Sequence, residues 1–155
     1  MKYTGKQDVT EFLEFLKMNN YPMKPCSEIE ITSLLYFGGK QPNLPESYLQ
    51  FMRYAGNGIQ FFIGSDYKAK EVAGFNEYAF ELLEENGVES NLTDNDFVFF
   101  MHQGYQFYFF KLDEGDDPPI YFFCEGYNDE QITRQFETFT EFLIGAYHAL
   151  NHFAS

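Results

Sequence analysis

The chain has 155 residues, 45% of them hydrophobic and 21% aromatic, with 20 Phe, 12 Tyr and no Trp. This length and composition predict one folded domain over residues 1–155 and exclude an intrinsically disordered chain. The 24 acidic residues exceed the 10 basic ones and give a formal net charge of −14, which disfavours binding to nucleic acid or to a membrane and favours a basic partner. The alternative is that the acidity only keeps an aromatic-rich protein soluble.

The first part of the chain carries two predicted helices. Apolar residues at helical spacing predict the first over residues 8–19, with Asp8 as its cap. Ser27 opens the second, because Ser27 and Glu30 form an S-x-x-E capping box. The pair Gly38-Gly39 is expected to end this helix.

The stretch NLPESYLQFMRYAGNG, residues 43–58, predicts a third helix. Pro45 suits the first helical turn, and Gly56 is expected to end the helix with a positive φ. A strand over residues 59–63 should follow the Asn57-Gly58 turn. One apolar stripe of the helix is expected to face the core: Leu44, Tyr48, Met52 and Ala55.

A loop with Lys68 and Lys70 separates this strand from a fourth predicted helix over residues 75–86, which Gly87 ends. The residues of this helix expected to face inward are Phe75, Tyr78, Ala79, Leu82 and Leu83. The apolar pattern then changes period and predicts three strands, DFVFFMHQ, QFYFFKL and IYFFCEG.

A last helix is predicted over residues 138–152, with Thr138 and Glu141 as its capping box. Its inward residues are expected to be Phe139, Phe142, Leu143, Ala146 and Leu150. Helices thus come first, a meander of strands follows, and one helix closes the chain. This order is typical of an α+β fold with a mainly antiparallel sheet.

Patterns of catalytic and metal-binding residues are weak. His148 and His152 are spaced i, i+4, but HALNH lacks the glutamate of H-E-x-x-H, so we interpret them as a solvent-facing helix end. His102 is interpreted as structural. We therefore expect no catalytic residue, no metal site, no cofactor and no enzyme activity.

The N-terminal sequence MKYTGKQDVTEF has no apolar run of signal-peptide length, and no segment approaches a membrane span. Cys26 and Cys124 are far apart in sequence and are expected to be free thiols, with a single disulfide as the alternative. These features predict a cytoplasmic protein.

Several short motifs occur in an order that resembles the SUKH superfamily. They are the capped helix SEIEITSLL, the L-P-x-x-Y element at Leu44, Pro45 and Tyr48, the Asn57-Gly58 turn, an aromatic meander, and TFTEFL from Thr138. Thr138 stands where the family usually has Ser, and Ile59 follows Asn57-Gly58 where many relatives carry another glycine. The resemblance covers residues 27–145.

The resemblance implies helices packed chiefly on one side of the sheet and no catalytic residues. It also implies a protein-binding role, since the superfamily includes a cell-wall-synthesis regulator and many bacterial immunity proteins. The first hypothesis is an immunity protein that binds and neutralises a cognate toxin domain, expected to be basic, such as a nuclease. The alternative is a regulatory or scaffold module that binds another cellular protein. The sequence leaves the oligomeric state undetermined.

Two features are candidates for partner binding. The first is a set of carboxylates that would form one anionic rim for Lys or Arg of a partner, if the strand hairpin brings them together. A solvated loop without a binding role is the alternative. The members of this set are Asp113, Glu114, Asp116, Asp117, Glu125, Asp129 and Glu130.

The second feature is aromatic. In QFYFFKL, Tyr108 and Phe110 should point to one side of the strand and Phe107 and Phe109 to the other. Both faces of the sheet are then apolar, and an open face would provide a platform for a partner. A strand buried on both faces is the alternative. The tyrosines predicted to contact the partner are Tyr105, Tyr108 and Tyr121.

Overall fold

The computed structural model describes residues 2–35, 43–88, 92–126 and 131–154, with side chains for all of these except residues 35 and 151–154. These residues form five helices and six strands, an α+β arrangement as predicted. The helices are α1 Val9–Met18, α2 Glu28–Leu35, α3 Glu46–Ala55, α4 Phe75–Glu85 and α5 Phe139–Ala154. The strands are β1 Met23–Lys24, β2 Gly58–Ile59, β3 Asp96–His102, β4 Gln106–Lys111, β5 Ile120–Cys124 and β6 Thr133–Phe136.

Side-chain caps start the helices where the sequence predicts them. Asp8 Oδ1 accepts the Glu11 N–H at 2.9 Å. The capping box of α2 is complete, because the Ser27 N–H donates to Glu30 Oε1 at 2.9 Å and the Glu30 N–H donates to Ser27 Oγ at 3.2 Å. The predicted end of this helix, at Gly38-Gly39, lies outside the described residues.

The main sheet is antiparallel throughout and has the strand order β3-β4-β5-β6, while β1 and β2 form a separate pair. The sequence TRQF of β6 was not predicted as a strand. Its residues are half-buried or exposed, so the apolar alternation that marks a strand is missing, as is common at a sheet edge. At the other edge, Asn76 of α4 accepts the Val98 N–H at 2.9 Å and donates to the Asp96 carbonyl at 2.9 Å.

Helices cover both faces of the sheet. On one face, a bulge between Val98 and Phe100 interrupts the alternation of β3, so that Phe99 and Phe100 both contact Phe142 of α5, at 5.5 and 5.8 Å between ring centroids. On the other face, α4 packs against β3, and Phe107 is fully buried. The central strands are therefore buried on both faces, as the alternative stated for them predicts. The expectation of an open aromatic face is wrong.

The segment after α3 departs from the prediction at two points. Gly56 ends the helix with φ −67° instead of a positive φ. Glycine is required there for space, because a Cβ would lie 2.2 Å from Cys26 Sγ. The predicted strand over residues 59–63 stops at Ile59, and a 3₁₀ turn follows. This turn lets the neighbouring rings of Phe61 and Phe62 pack together, 4.7 Å apart, on the same side of the chain.

In two helices, the residues that are buried differ from those predicted to face inward. Tyr78 of α4 is exposed, whereas the other four predicted inward residues of this helix are buried. In α5, Ala146 and Leu150 are only half-buried, while Ile144 and Tyr147 are buried. The face of α5 is rotated because the helix packs against the Phe61–Phe62 turn as well as against the sheet, a contact that the predicted strand did not include.

Tyr48 lies at the point where α3, the sheet and α5 meet. Its ring packs edge-on against Phe97 and Phe110 of the sheet at 5.5 and 5.3 Å, and against Phe139 of α5 at 5.8 Å. The side chain is 1% exposed. Its hydroxyl is buried without a hydrogen-bond partner in the described part of the chain, and burial raises the pKa of Tyr48 well above the usual range.

The two cysteines are free. Burial, together with the nearby Glu30 carboxylate, raises the pKa of the Cys26 thiol to about 11. Among the described residues, no helix is both long enough and apolar enough to cross a membrane.

The Tyr48 ring and its hydroxyl should have separable effects on stability. We expect Tyr48→Ala to lower the free energy of unfolding by ~3–5 kcal/mol, because it removes a large buried ring. Tyr48→Phe should leave the free energy of unfolding unchanged or raise it, because an unsatisfied buried hydroxyl costs ~1–3 kcal/mol. Urea denaturation at pH 7 measures both.

The same variants should differ at high pH. The raised pKa of Tyr48 means that the neutral ring stabilises the fold below the ordinary tyrosine pKa of 10.0 and that this contribution falls as the pH rises above that value. Tyr48→Phe should therefore lose less stability than the wild type between pH 9 and pH 11. A Tyr48→Phe protein as unstable as Tyr48→Ala would contradict this assignment.

Candidate partner-binding surface

The acidic loop, residues 113–117, joins β4 to β5 and is fixed by the first turns of two helices. The Ser47 N–H of α3 donates to the Asp116 carbonyl at 2.9 Å. The Thr140 N–H of α5 donates to Asp117 Oδ1 at 3.0 Å. Asp117 thus satisfies a helix N-terminus, where the helix dipole also favours a carboxylate, whereas the side chain of Asp116 is exposed.

The other carboxylates of the acidic loop bind polar groups beside it. Asn95 Nδ2 donates to Asp113 Oδ1 at 2.8 Å. The Tyr121 hydroxyl donates to Glu114 Oε1 at 3.0 Å, and burial together with this carboxylate raises the pKa of Tyr121. Glu114 and Tyr121 therefore hold each other in place, and Asp113 and Asp116 are the exposed acidic residues of the loop.

Glu125 and Tyr105 lie at the opposite end of the sheet. The antiparallel register pairs Gln106 with Cys124, and the Glu125 N–H donates to the Tyr105 carbonyl at 2.9 Å. The length of β4, about 17 Å at 3.4 Å per residue, separates this end from the acidic loop. Asp129 and Glu130 lie outside the described residues.

The predicted single anionic rim is therefore wrong. An antiparallel hairpin places the residues before β5 and those after it at opposite ends of the strand. Among the described members of the predicted set, only the four carboxylates of the acidic loop are brought together, and one of these, Asp117, is occupied as a helix cap.

The three predicted tyrosines do not share one surface. Tyr105 lies in the β3–β4 turn with its side chain 38% exposed. Tyr121 pairs with Phe109 across the strands, whereas Tyr108 pairs with Phe122, so neighbouring positions point to opposite faces. Tyr108 contacts Phe142 of α5 at 4.9 Å between ring centroids.

Tyr108 forms part of the wall of a cavity of about 400 Å³ between β3, β4 and α5. The polar pair at this cavity is Ser65 and His102, with 2.8 Å between Ser65 Oγ and His102 Nδ1. The adjacent Asp66 and Met101 exchange backbone hydrogen bonds of 2.8 and 2.9 Å. His102 therefore helps to fasten the loop before α4 to the end of β3.

A different acidic surface lies on the outside of α4, and the sequence reasoning did not identify it. We call it the α4 outer face; all of its members are exposed, and they are Glu77, Tyr78, Phe80, Glu81, Glu84 and Glu85. At 100° per residue the four glutamates form a continuous band, with Tyr78 along one side of it and Phe80 along the other. These two rings are 46% and 40% exposed.

The segment that contains α4 carries acidic residues but no basic ones. No Lys or Arg occurs between Lys70 and Lys111. The Tyr78 hydroxyl lies 3.4 Å from the Gly104 carbonyl, and Asn86 Nδ2 lies 3.3 Å from Glu125 Oε2. The predicted residues Tyr105 and Glu125 thus adjoin the α4 outer face, not the acidic loop.

The glutamates of this face reduce the stability of the helix that carries them. Glu81 has like-charged neighbours at i+3 and i+4, and such pairs cost ~0.2–0.5 kcal/mol each. Glu84 and Glu85 lie in the last turn of α4, which contains no basic residue, and negative charge at that end opposes the helix dipole. The run of glutamates at helical spacing without an intervening lysine was the available sequence signal.

The histidine pair at the end of α5 gives no metal centre in the described part of the chain. His148 Nε2 accepts the Tyr3 N–H at 3.2 Å, which ties the N-terminal segment to α5. The side chain of His152 lies outside the described residues. Within those residues, no three His, Cys, Asp or Glu side chains are grouped as metal ligands would be.

Comparison with known proteins agrees with the motifs in the sequence. A family model described as SMI1-KNR4 cell-wall, SUKH_6, matches residues 41–143. The match includes α3, both acidic surfaces, strands β3 to β6 and the first turn of α5. No curated protein matches the chain significantly.

The neighbouring residues Asp116 and Asp117 should respond differently to substitution. We expect Asp117→Ala to lower the free energy of unfolding by ~1 kcal/mol, because it removes the acceptor of an N-terminal N–H of α5. Asp116→Ala, its matched control, should change it by less than ~0.5 kcal/mol, because that side chain is exposed. Equal effects in urea denaturation would show that Asp117 is not a helix cap.

Proposed function

Because the chain belongs to the SMI1-KNR4 (SUKH) family, whose model matches more than half of its residues, we propose that it is a non-catalytic protein-binding module. In its specific form, the proposal is an immunity protein. It binds a cognate toxin domain with a basic surface, such as a nuclease domain, and blocks that domain by occupying its surface.

The α4 outer face is the observation that carries this proposal. Four glutamates lie between two exposed aromatic rings, on a stretch of the chain without Lys or Arg. Aromatic anchors surrounded by polar residues are typical of protein interfaces, and complementary charge accelerates association with a basic partner. A solubility role alone explains the acidity but does not explain the exposed rings.

The loss of stability that these glutamates cause in α4 also supports a binding role for the α4 outer face. Solubility requires net charge anywhere on the surface, whereas these glutamates are concentrated at like-charged helical spacings and at the unfavourable end of the helix dipole. Residues that lower stability where a less costly arrangement exists are typical of functional sites. Tyr105 and Glu125, beside this face, would extend the contact area.

The acidic loop is the competing surface on the same molecule. Asp113 and Asp116 are exposed and would also attract a basic partner. The loop carries no exposed aromatic ring, since the Tyr121 side chain is half-buried and its hydroxyl is bound to Glu114. We therefore assign the primary contact to the α4 outer face.

Two matched triple variants separate the two surfaces. Glu81→Gln with Glu84→Gln and Glu85→Gln changes the α4 outer face, and Asp113→Asn with Glu114→Gln and Asp116→Asn changes the acidic loop. Each changes the net charge from −14 to −11. Toxin domains encoded by genes adjacent to this one are the candidates for co-expression. With the cognate domain among them, we expect the wild type to restore growth, the α4 variant to fail, and the loop variant to restore growth.

Association kinetics and stability complete this test. We expect the α4 variant to associate about tenfold more slowly at low salt, with a smaller difference at high salt. Its melting temperature should equal or exceed that of the wild type, because like-charge repulsion is removed. A loop variant that associates more slowly than the α4 variant would move the interface to the loop. No binding to the neighbouring toxin, or to another basic toxin domain, would contradict the immunity role and favour the regulatory alternative.

Exposed rings of the α4 outer face should control dissociation. We expect Phe80→Ala and Tyr78→Ala each to raise the dissociation rate of the complex about tenfold or more, because aromatic anchors at an interface contribute ~2 kcal/mol or more. Ile29→Ala is the matched control, since Ile29 of α2 is 80% exposed and lies outside this face. Surface plasmon resonance measures all three, and equal dissociation rates for Phe80→Ala and the control would exclude Phe80 from the interface.

A further inference from the structure

A groove of about 490 Å³ lies beside the β1–β2 pair, and it shares no residue with either acidic surface. Its volume is within the range of small-ligand sites, roughly 300–1,000 Å³. The apolar side chains that line it are Met23, Ile59, Phe62, Ile63 and the ring of Tyr67. Ile63 is 81% exposed, so a ligand in the groove would remove this side chain from water.

The charge of the groove is opposite to that of the chain. Lys24 and Lys68 line it, and no acidic residue does so in the described part of the chain, although acidic residues outnumber basic ones by 24 to 10. The aliphatic part of Lys24 lies over Gly58, where a Cβ would be 3.4 Å from Lys24 Cδ. A Cβ at position 58 would therefore be in ordinary van der Waals contact with this lysine.

Neither of these lysines forms an ion pair with a described residue. The same is true of four other lysines, Lys2, Lys6, Lys17 and Lys70. Lys24 and Lys68 are therefore distinguished by their position beside the apolar groove. Two unpaired ammonium groups beside an apolar groove are suited to an anion whose other part is apolar.

Tyr67 contributes its ring to the wall of the groove. The residue is 3% exposed, and its hydroxyl oxygen is buried, with no partner of hydrogen-bond geometry among the described residues. Burial raises the pKa of Tyr67, and the nearby Ile59 N–H only partly offsets this rise. A ligand in the groove would therefore contact the ring of Tyr67 and not its buried hydroxyl.

We propose that this groove binds a small organic carboxylate with an apolar body. The carboxylate interacts with the ammonium groups of Lys24 and Lys68. The apolar body covers Ile59, Phe62 and Ile63. The volume of about 490 Å³ suits a free small acid, whereas an extended peptide requires a longer binding groove. This site is independent of the proposed toxin contact.

Titration of the intact chain with 3-phenylpropionate and decanoate, followed by NMR, tests the proposal. The corresponding amides are the matched ligands, because they keep the apolar body and lack the charge. We expect each acid to shift the resonances of groove residues and to bind about tenfold more tightly than its amide. Amides that bind as tightly as the acids would overturn the proposal, as would acids that shift no groove resonance.

Substitutions assign the binding to the named residues. Lys24→Ala with Lys68→Ala should remove the preference for acid over amide, whereas Lys2→Ala with Lys6→Ala, which loses the same charge elsewhere, should retain it. Tyr67→Phe keeps the ring in the groove wall and removes only a buried hydroxyl, so it should bind each acid as tightly as the wild type. Binding to a peptide that ends in a phenylalanine carboxylate, without binding to the free acids, would show that the small-acid assignment is wrong.

Discussion

The packing of Tyr48 against rings from the sheet and from α5 is the contact on which the rest of the fold depends. Its ring meets Phe97, Phe110 and Phe139 within 6 Å, so one side chain joins α3, the sheet and the last helix. The adjacent Ser47 N–H fixes the Asp116 carbonyl, which sets the position of the acidic loop. The L-P-x-x-Y element that resembles the family thus carries a packing function, and its hydroxyl has no partner in the described residues.

Burial of the sheet on both faces decides where a partner can bind. Because α3 and α5 cover one face and α4 covers the other, the aromatic strands contribute to the core and leave only their ends and the outer sides of the helices for contact. The α4 outer face combines charge with exposed rings, and the groove beside β1 and β2 combines apolar lining with two lysines. The two surfaces differ in sign of charge and therefore in the chemistry that they recognise.

Local rules predicted the features that local interactions determine. The Asp8 cap, the Ser27–Glu30 capping box and the three aromatic strands were found as predicted. The predictions failed where contact with a residue distant in sequence determines the local conformation. Gly56 is required by the approach of Cys26 Sγ, and the 3₁₀ turn at Phe61–Phe62 depends on its packing against α5. The helical spacing of Tyr78 predicts a buried side chain. In the structure Tyr78 lies beside the buried face of α4, is 46% exposed, and its hydroxyl approaches the turn between β3 and β4.

The sequence by itself determined the α+β class, the helix starts, the positions of β3 to β5 and the family, because caps, apolar periodicity and short ordered motifs act within a few residues. Only the tertiary structure decided which carboxylates are neighbours. The antiparallel register sends Asp113 and Glu125 to opposite ends of the sheet, and α5 takes Asp117 as its cap. The spacing of the glutamates along α4 places them in one band of the helix, but only the packing of α4 on β3 turns that band and its two flanking aromatic rings outward.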